Sequence, residues 1–189
     1  MGINFPENLM KEAETMGLNL SALNAPQLLD LKRMLSRVNN LLSKELGLKF
    51  IELIKMNKPD KERLKKDFGK IKPNANGYDL VDVDERIIAE IKCNIPCKKD
   101  HTYGAQQIKN ILDDIEHMAN ENKKKKHKPP IDQLSNYTRF MVLLKTEYAS
   151  ICFKQIKRKL ADKVSLEEWD GKPAENLSKD KIYVAFVEL

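Results

Sequence analysis

Gly77-Tyr78-Asp79-Leu80-Val81-Asp82-Val83-Asp84-Glu85-Arg86-Ile87-Ile88-Ala89-Glu90-Ile91-Lys92 is the stretch whose reading decides the fold. Leu80 to Asp84 alternates apolar and acidic residues, and Arg86 to Cys93 is rich in isoleucine. Two such runs joined by Asp84-Glu85-Arg86 predict a β-hairpin, although the turn lacks the usual Gly or Asn. In the second run the strand period of two sets Ile88, Glu90 and Lys92 on one face and Ile87, Ala89, Ile91 and Cys93 on the other. Ten residues separate Asp79 from Glu90, and Lys92 follows one residue beyond it. The hairpin therefore gathers two carboxylates and one ammonium at a sheet edge, a set suited to a divalent cation.

Working outward, Pro73-Asn-Ala-Asn-Gly77 is dense in turn formers and delivers the chain into the hairpin. Before it, residues 5–16 predict a short helix ended by Gly17. A longer helix follows, with Asn24 as N-cap, Pro26 in its first turn and Gly47 as its stop. Leu28, Leu31, Leu35, Val38, Leu42 and Leu46 give that helix a stripe expected to pack in the core. Leu48 to Met56 reads as a strand, and the highly charged Lys58 to Lys72 as a solvated helix or loop. After the hairpin come a polar loop, Asn94 to Thr102, and a helix from about Tyr103 to Asn120 with Ile108, Ile111, Leu112, Ile115, Met118 and Ala119 inside. A basic run at Lys123 to Lys128 precedes a strand at Arg139 to Lys145. Glu147 to Lys163 reads as a helix, Ser165-Leu-Glu-Glu168 as a capping box before a helical turn, and Lys181 to Leu189 as a final strand. The expected class is mixed α/β, a central sheet flanked by helices, in one domain over 1–189.

The 189 residues suffice for one core, and 41% hydrophobic content argues for a folded chain. The net charge of +6 favours phosphate-rich partners. Three cysteines, an odd count, argue against a disulfide framework, and Cys93 and Cys97 lack a second pair to complete a zinc site. His101, His117 and His127 do not have metal-ligand spacing either. No signal peptide or membrane-spanning run is evident, so a cytoplasmic protein is expected.

The Asp79…Glu90-Ile91-Lys92 spacing, on two adjacent strands after a turn and before an amphipathic helix, resembles the core of the PD-(D/E)XK nuclease superfamily, which includes many type II restriction endonucleases. The resemblance implies a restriction-endonuclease-like αβββαβ core over about 26–146, with 147–189 as additions. It implies Mg²⁺, with Mn²⁺ as substitute, held by Asp79, Glu90 and the backbone carbonyl of Ile91, and Lys92 beside the attacking water. Tyr78 stands where the motif name has Pro. The literal Pro59-Asp60 pair is set aside, because the charged run after it is unfit for a core strand. Asp82 and Asp84 alternate away from Asp79.

Relatives add an acid from the first helix, for which Glu45 and Glu52 are the candidates, beside the plainer reading of surface charges. Some use a Gln after the Lys, here Gln106 or Gln107, which equally suit a helix start. Candidate DNA contacts are Asn94, Lys98, Lys99, His101, Gln107, Lys123, Lys124 and Lys125. The implied activity is Mg²⁺-dependent cleavage of double-stranded DNA by a type II restriction enzyme, acting as a homodimer on a two-fold site. Two other readings stay open: a structure-specific nuclease of the same fold, and a non-catalytic nucleic-acid-binding protein.

Overall fold

The computed structural model describes residues 7–54, 56–70, 77–121, 132–160 and 163–189. By its internal contacts the chain divides into two units, Met1–Leu41 and Leu42–Leu189. In the first, helix α1 (Glu7–Thr15) ends at Gly17, whose φ of 74° is left-handed as an αL stop requires. Helix α2 (Ala25–Leu53) begins in this unit. Asn24 and Gln27 cap it reciprocally, each side-chain oxygen accepting from the other's backbone N–H at 3.0 and 2.9 Å.

The second unit is built on one mixed sheet. Its strands are β1 (Leu80–Asp82), β2 (Ile87–Lys92), β3 (Thr138–Leu144), β4 (Leu166–Glu168) and β5 (Ile182–Val187), in the order β1-β2-β3-β5-β4. β1 runs antiparallel to β2, and the other pairs are parallel. Helices α3 (Lys58–Lys70), α4 (Ala105–Ala119) and α5 (Ala149–Leu160) complete the set. On one face, Ile108, Ile111, Ile115 and Met118 of α4 and Cys152, Ile156 and Leu160 of α5 share a core with Ile88, Met141 and Val184. On the other, Leu46, Phe50 and Ile51 of α2 and Leu64 and Phe68 of α3 pack against Ile87, Ala89, Ile91, Phe140 and Val142. With both faces covered, β2 and β3 need apolar residues at nearly every position, as parallel strands do. The charged exceptions are Glu90 and Lys92 on β2 and Arg139 on β3. The Arg139 guanidinium donates to the Met118 carbonyl at 3.1 Å, answering an acceptor at the C-terminal end of α4.

The predicted hairpin forms, with Leu80 opposite Ala89 and Val81 opposite Ile88. Arg86 takes the left-handed turn position, at φ 52°. Asp82 replaces the missing turn residue, accepting from the N–H groups of Asp84 and Glu85 at 3.1 Å. Its buried carboxylate also meets Arg63 of α3 at 3.0 Å. The final strand and the helices at 105–119 and 149–160 form where the periodicity sets them. Pro59-Asp60 lies in the first turn of α3, not on a strand.

Five expectations are corrected. Leu48 to Leu53 is helix, because α2 continues to Leu53 and buries Leu46, Gly47, Phe50 and Ile51, a helical spacing. The αβββαβ order is therefore not reproduced over 26–146; two strands, not three, precede α4 there among the described residues. Gly47 does not stop the helix. A Cβ there would lie 2.6 Å from Phe68 Cε1 and 2.8 Å from Ile91 Cδ1, so glycine lets α2 close on α3 and β2. Ser165 to Glu168 is not a helix start, because Leu166–Glu168 pairs in parallel with Ile182 to Val184. The stripe of α2 is not all core either: Leu35, Val38 and Leu42 are exposed, and only Leu46 is buried.

Candidate active site

Asp79 precedes β1 by one residue, and continuing the register from the Leu80–Ala89 pair sets it opposite Glu90. The Ile91 N–H donates to Asp79 Oδ2 at 2.8 Å, which fixes the carboxylate against β2. Tyr78 steadies the approach: its ring is buried and its hydroxyl donates to the His117 carbonyl of α4 at 3.1 Å. The face assignment from period two holds, since Ile88 packs on the α4 side and Ile87, Ala89, Ile91 and Cys93 on the α2–α3 side. Glu90 and Lys92 thus face α4. Glu90 is 1% exposed, and a carboxylate so buried needs partners.

Lys92 meets a residue that sequence reasoning missed. Its Nζ lies 2.8 Å from Asp114 Oδ2, at side-chain exposures of 27% and 11%. Burial alone would lower the Lys92 pKa. The hydrogen bond and charge of Asp114, joined by the charges of Glu90 and Asp79, hold it above the ordinary lysine value. The ammonium is therefore kept protonated and stands in the field of all three carboxylates. The signal for Asp114 was present in the sequence. It falls three residues after Ile111 and four before Met118, on the apolar stripe of α4, where a charge needs a partner.

The other candidates are placed as follows. Glu52 is exposed and forms an ion pair with Lys65 of α3, and Glu45 is exposed on α2. Neither is among the carboxylates acting on Lys92. Gln107 is engaged at the start of α4: its Oε1 accepts from the Gly104 N–H at 2.9 Å, and its Nε2 donates to the Ile95 carbonyl at 3.0 Å. Gln106 donates to Asn110 at 2.7 Å. Asn94 is half-buried just beyond β2, whereas Lys98 and Lys99 are exposed in the following loop. His101, at φ 59°, stacks on Tyr148 with centroids 3.9 Å apart. Gln155 of α5 grips the end of this loop, accepting from the Tyr103 N–H at 2.9 Å and donating to its carbonyl at 3.0 Å. Lys123, Lys124 and Lys125 lie outside the described residues. Trp169 packs edge-on against Phe50 and Phe140, as a core residue.

Two carboxylates and a nearby backbone carbonyl are hard oxygen donors of the kind magnesium takes while keeping several waters. Among the described residues no group of three or more His, Cys, Asp or Glu side chains is arranged to hold a metal ion, so a site here depends on two side chains, backbone and water. Among the described residues, too, no helix is long and apolar enough to cross a membrane. In comparisons with known proteins no family model matches the chain, and neither does any curated protein or solved structure.

Proposed function

We propose that the chain is a Mg²⁺-dependent endonuclease that hydrolyses phosphodiester bonds in double-stranded DNA, of the type II restriction kind. The reading rests on one observation above the others: the Ile91 N–H pins Asp79 across the hairpin from the buried Glu90, on the face where Lys92 stands. Asp79 and Glu90 would hold the ion, with the Ile91 carbonyl as a third donor. Bound there, the ion would supply activation of a water and relief of charge on the phosphoryl oxygens. Mn²⁺, with the same preference for oxygen ligands, substitutes. The water oxygen bonds to phosphorus and gives up a proton to solvent, the bridging P–O bond breaks, and the leaving oxygen takes a proton from solvent.

Lys92 acts as a cation, orienting the water and stabilising developing negative charge. Asp114 keeps that ammonium in place. Lys98, Lys99, His101 and Asn94 lie in the loop leaving the same strand, where phosphate and base contacts would form. Cutting both strands of a two-fold site calls for two copies of the chain.

The test is cleavage of supercoiled plasmid with Mg²⁺ by wild type and by Asp79→Asn, Glu90→Gln and Lys92→Met, alongside calorimetric Mg²⁺ titration. Discrete fragments are expected from wild type, with each variant at least about 100-fold slower. Mg²⁺ binding should weaken in the first two variants. Undiminished cleavage by Glu90→Gln would overturn the site. Salt-sensitive DNA binding with no metal dependence and no cleavage would overturn the enzyme reading.

A further inference from the structure

Helix α5 carries a cationic face that nothing among the described residues neutralises. Lys154, Lys157, Arg158 and Lys159 stand among its twelve residues, and none of the twelve is an acid. From Ala149 through Lys163 the sequence sets five cations against one acid, Asp162, which is more than half the net charge of +6 that the whole chain carries. All four cations of the helix are exposed, and among the described residues no ion pair joins any of them to a carboxylate. Helix α3 shows the ordinary arrangement. There Arg63, Lys65 and Lys70 are each answered by an acid three residues earlier, at 3.6, 3.1 and 2.8 Å. On α5, Lys154, Lys157 and Arg158 stand at i, i+3 and i+4, side by side on the face turned away from the buried Cys152, Ile156 and Leu160. Like charges at that spacing repel. Cations in the last turn suit the helix dipole, but the dipole equally favours an acid in the first turn, and none is there. Lys154 lies before the last turn, outside the reach of that effect.

The loop that leaves β2 joins this surface to the candidate site. The His101 ring stacks on Tyr148, just before α5, and the His101 carbonyl accepts from Cys152 Sγ at 3.6 Å. Gln155 grips both main-chain groups of Tyr103. Lys98 is tied into the same turn, its N–H donating to the Thr102 carbonyl at 3.3 Å. The exposed Lys98 and Lys99 and the cations of α5 thus belong to one connected surface. From Tyr148 to Arg158 the helix advances about 15 Å, the length of roughly four base pairs. What α5 presents outward is ionic. Cys152 and Ile156 are 0% exposed and Leu160 3%, so the apolar face that a helix lays into lipid is already covered by the core. None of the exposed residues of α5 is aromatic, whereas single strands are held by stacking on aromatic rings. A row of cations with neither feature matches the regular phosphates of a duplex, one charge per about 1.7 Å of axis.

We propose that the outer face of α5, with Lys154, Lys157 and Arg158, is a contact surface for the phosphate backbone of duplex DNA, extending the grip of the 94–103 loop along the duplex. The choice of partner rests on the nuclease reading above, but the surface takes no part in cleavage chemistry and reads no base sequence.

Fluorescence anisotropy of the full-length chain with short duplexes of two unrelated sequences, in EDTA, tests it, with plasmid cleavage in Mg²⁺ assayed alongside. Wild type should bind both duplexes. Lys154→Ala/Lys157→Ala/Arg158→Ala should raise the dissociation constant at least about 10-fold for both, and make the slope of log K against log salt shallower by roughly 3. Circular dichroism and melting should stay unchanged, since all three positions are exposed. Lys58→Ala/Lys66→Ala/Lys70→Ala removes the same charge from exposed positions of α3, on the other face of the sheet, and should bind within about 2-fold of wild type. An α5 variant that binds as wild type does, an equal loss in the α3 variant, a loss confined to one sequence, tighter binding of a single strand than of the duplex, or a preference for anionic vesicles over DNA would each overturn the proposal. A chain that binds duplex through α5 but cuts no DNA rejects the nuclease reading alone. A chain that cuts as expected while the α5 variant binds as tightly as wild type rejects this surface alone.

Discussion

Gly47 and Gly69 offer the same substitution with opposite expected signs. Both lie in helices, α2 and α3, where Gly→Ala ordinarily stabilises by up to about 1 kcal/mol. At Gly69 nothing among the described residues lies within 4 Å of an added Cβ, so the helix preference acts. Because Gly69 is next to the helix end, the gain should be about 0.5 kcal/mol, or a Tm rise of roughly 1–2 °C for a chain of this size. At Gly47 the Cβ would sit 2.6 Å from Phe68 Cε1 and 2.8 Å from Ile91 Cδ1. Carbon contacts settle near 3.5–4.0 Å, so each neighbour must withdraw by about 1 Å. Overpacking of this kind costs about 1–3 kcal/mol. A rigid ring and a strand side chain must both yield, which argues for the upper end. Less the helix gain, Gly47→Ala should destabilise by about 2 kcal/mol and lower Tm by roughly 4–8 °C. Urea unfolding of both variants beside wild type measures the pair. If Gly47→Ala stabilises as much as Gly69→Ala, the close approach of α2 to β2 is wrong.

Asp114→Asn should cost about 2–3 kcal/mol in urea unfolding, less than for a fully enclosed pair, because the Lys92 side chain is 27% exposed and stays near Glu90 and Asp79. Asp114→Glu should recover part of that loss, and equal stability of Asp114→Asn and wild type would count against the ion pair. For pH, burial raises the Tyr103 hydroxyl pKa well above the ordinary value of 10.0, followed by the effect of Cys152. A raised folded-state pKa contributes stability that is fully present below the unfolded value and lost as pH rises toward the folded one. Melting temperature should therefore fall from about pH 10 upward, and Tyr103→Phe should make that fall shallower. Identical alkaline profiles for the two proteins would remove Tyr103 from the account.

The hairpin and its two faces were legible because period two leaves little freedom. Once Ile87, Ala89 and Ile91 are inside one core, Glu90 and Lys92 must share the other side. Leu48 to Met56 reads as a strand when Leu46 is left outside it. Seen from Leu46, the buried set Leu46, Phe50 and Ile51 is helical, but Phe50 and Ile54 with their charged neighbours resemble a short strand. Leu166–Glu168 is a strand only through its pairing with β5, a contact that no local pattern announces. Asp114 stayed hidden because a lone acid in an apolar stripe shows that a partner is needed, not which one. For α2 the periodicity revealed an apolar face, but burial depends on what lies against it.

The grip of Gln155 on Tyr103 has a consequence for how this protein can change over generations. Tyr103 is held through its main-chain N–H and carbonyl, and Ile95 through its carbonyl. These anchors are indifferent to the side chains displayed between them. Lys98 and Lys99 can be exchanged without loosening either end of the loop. The segment beside the acidic cluster is thus an interchangeable surface, open to acquiring new partners while the sheet beneath it is inherited unchanged.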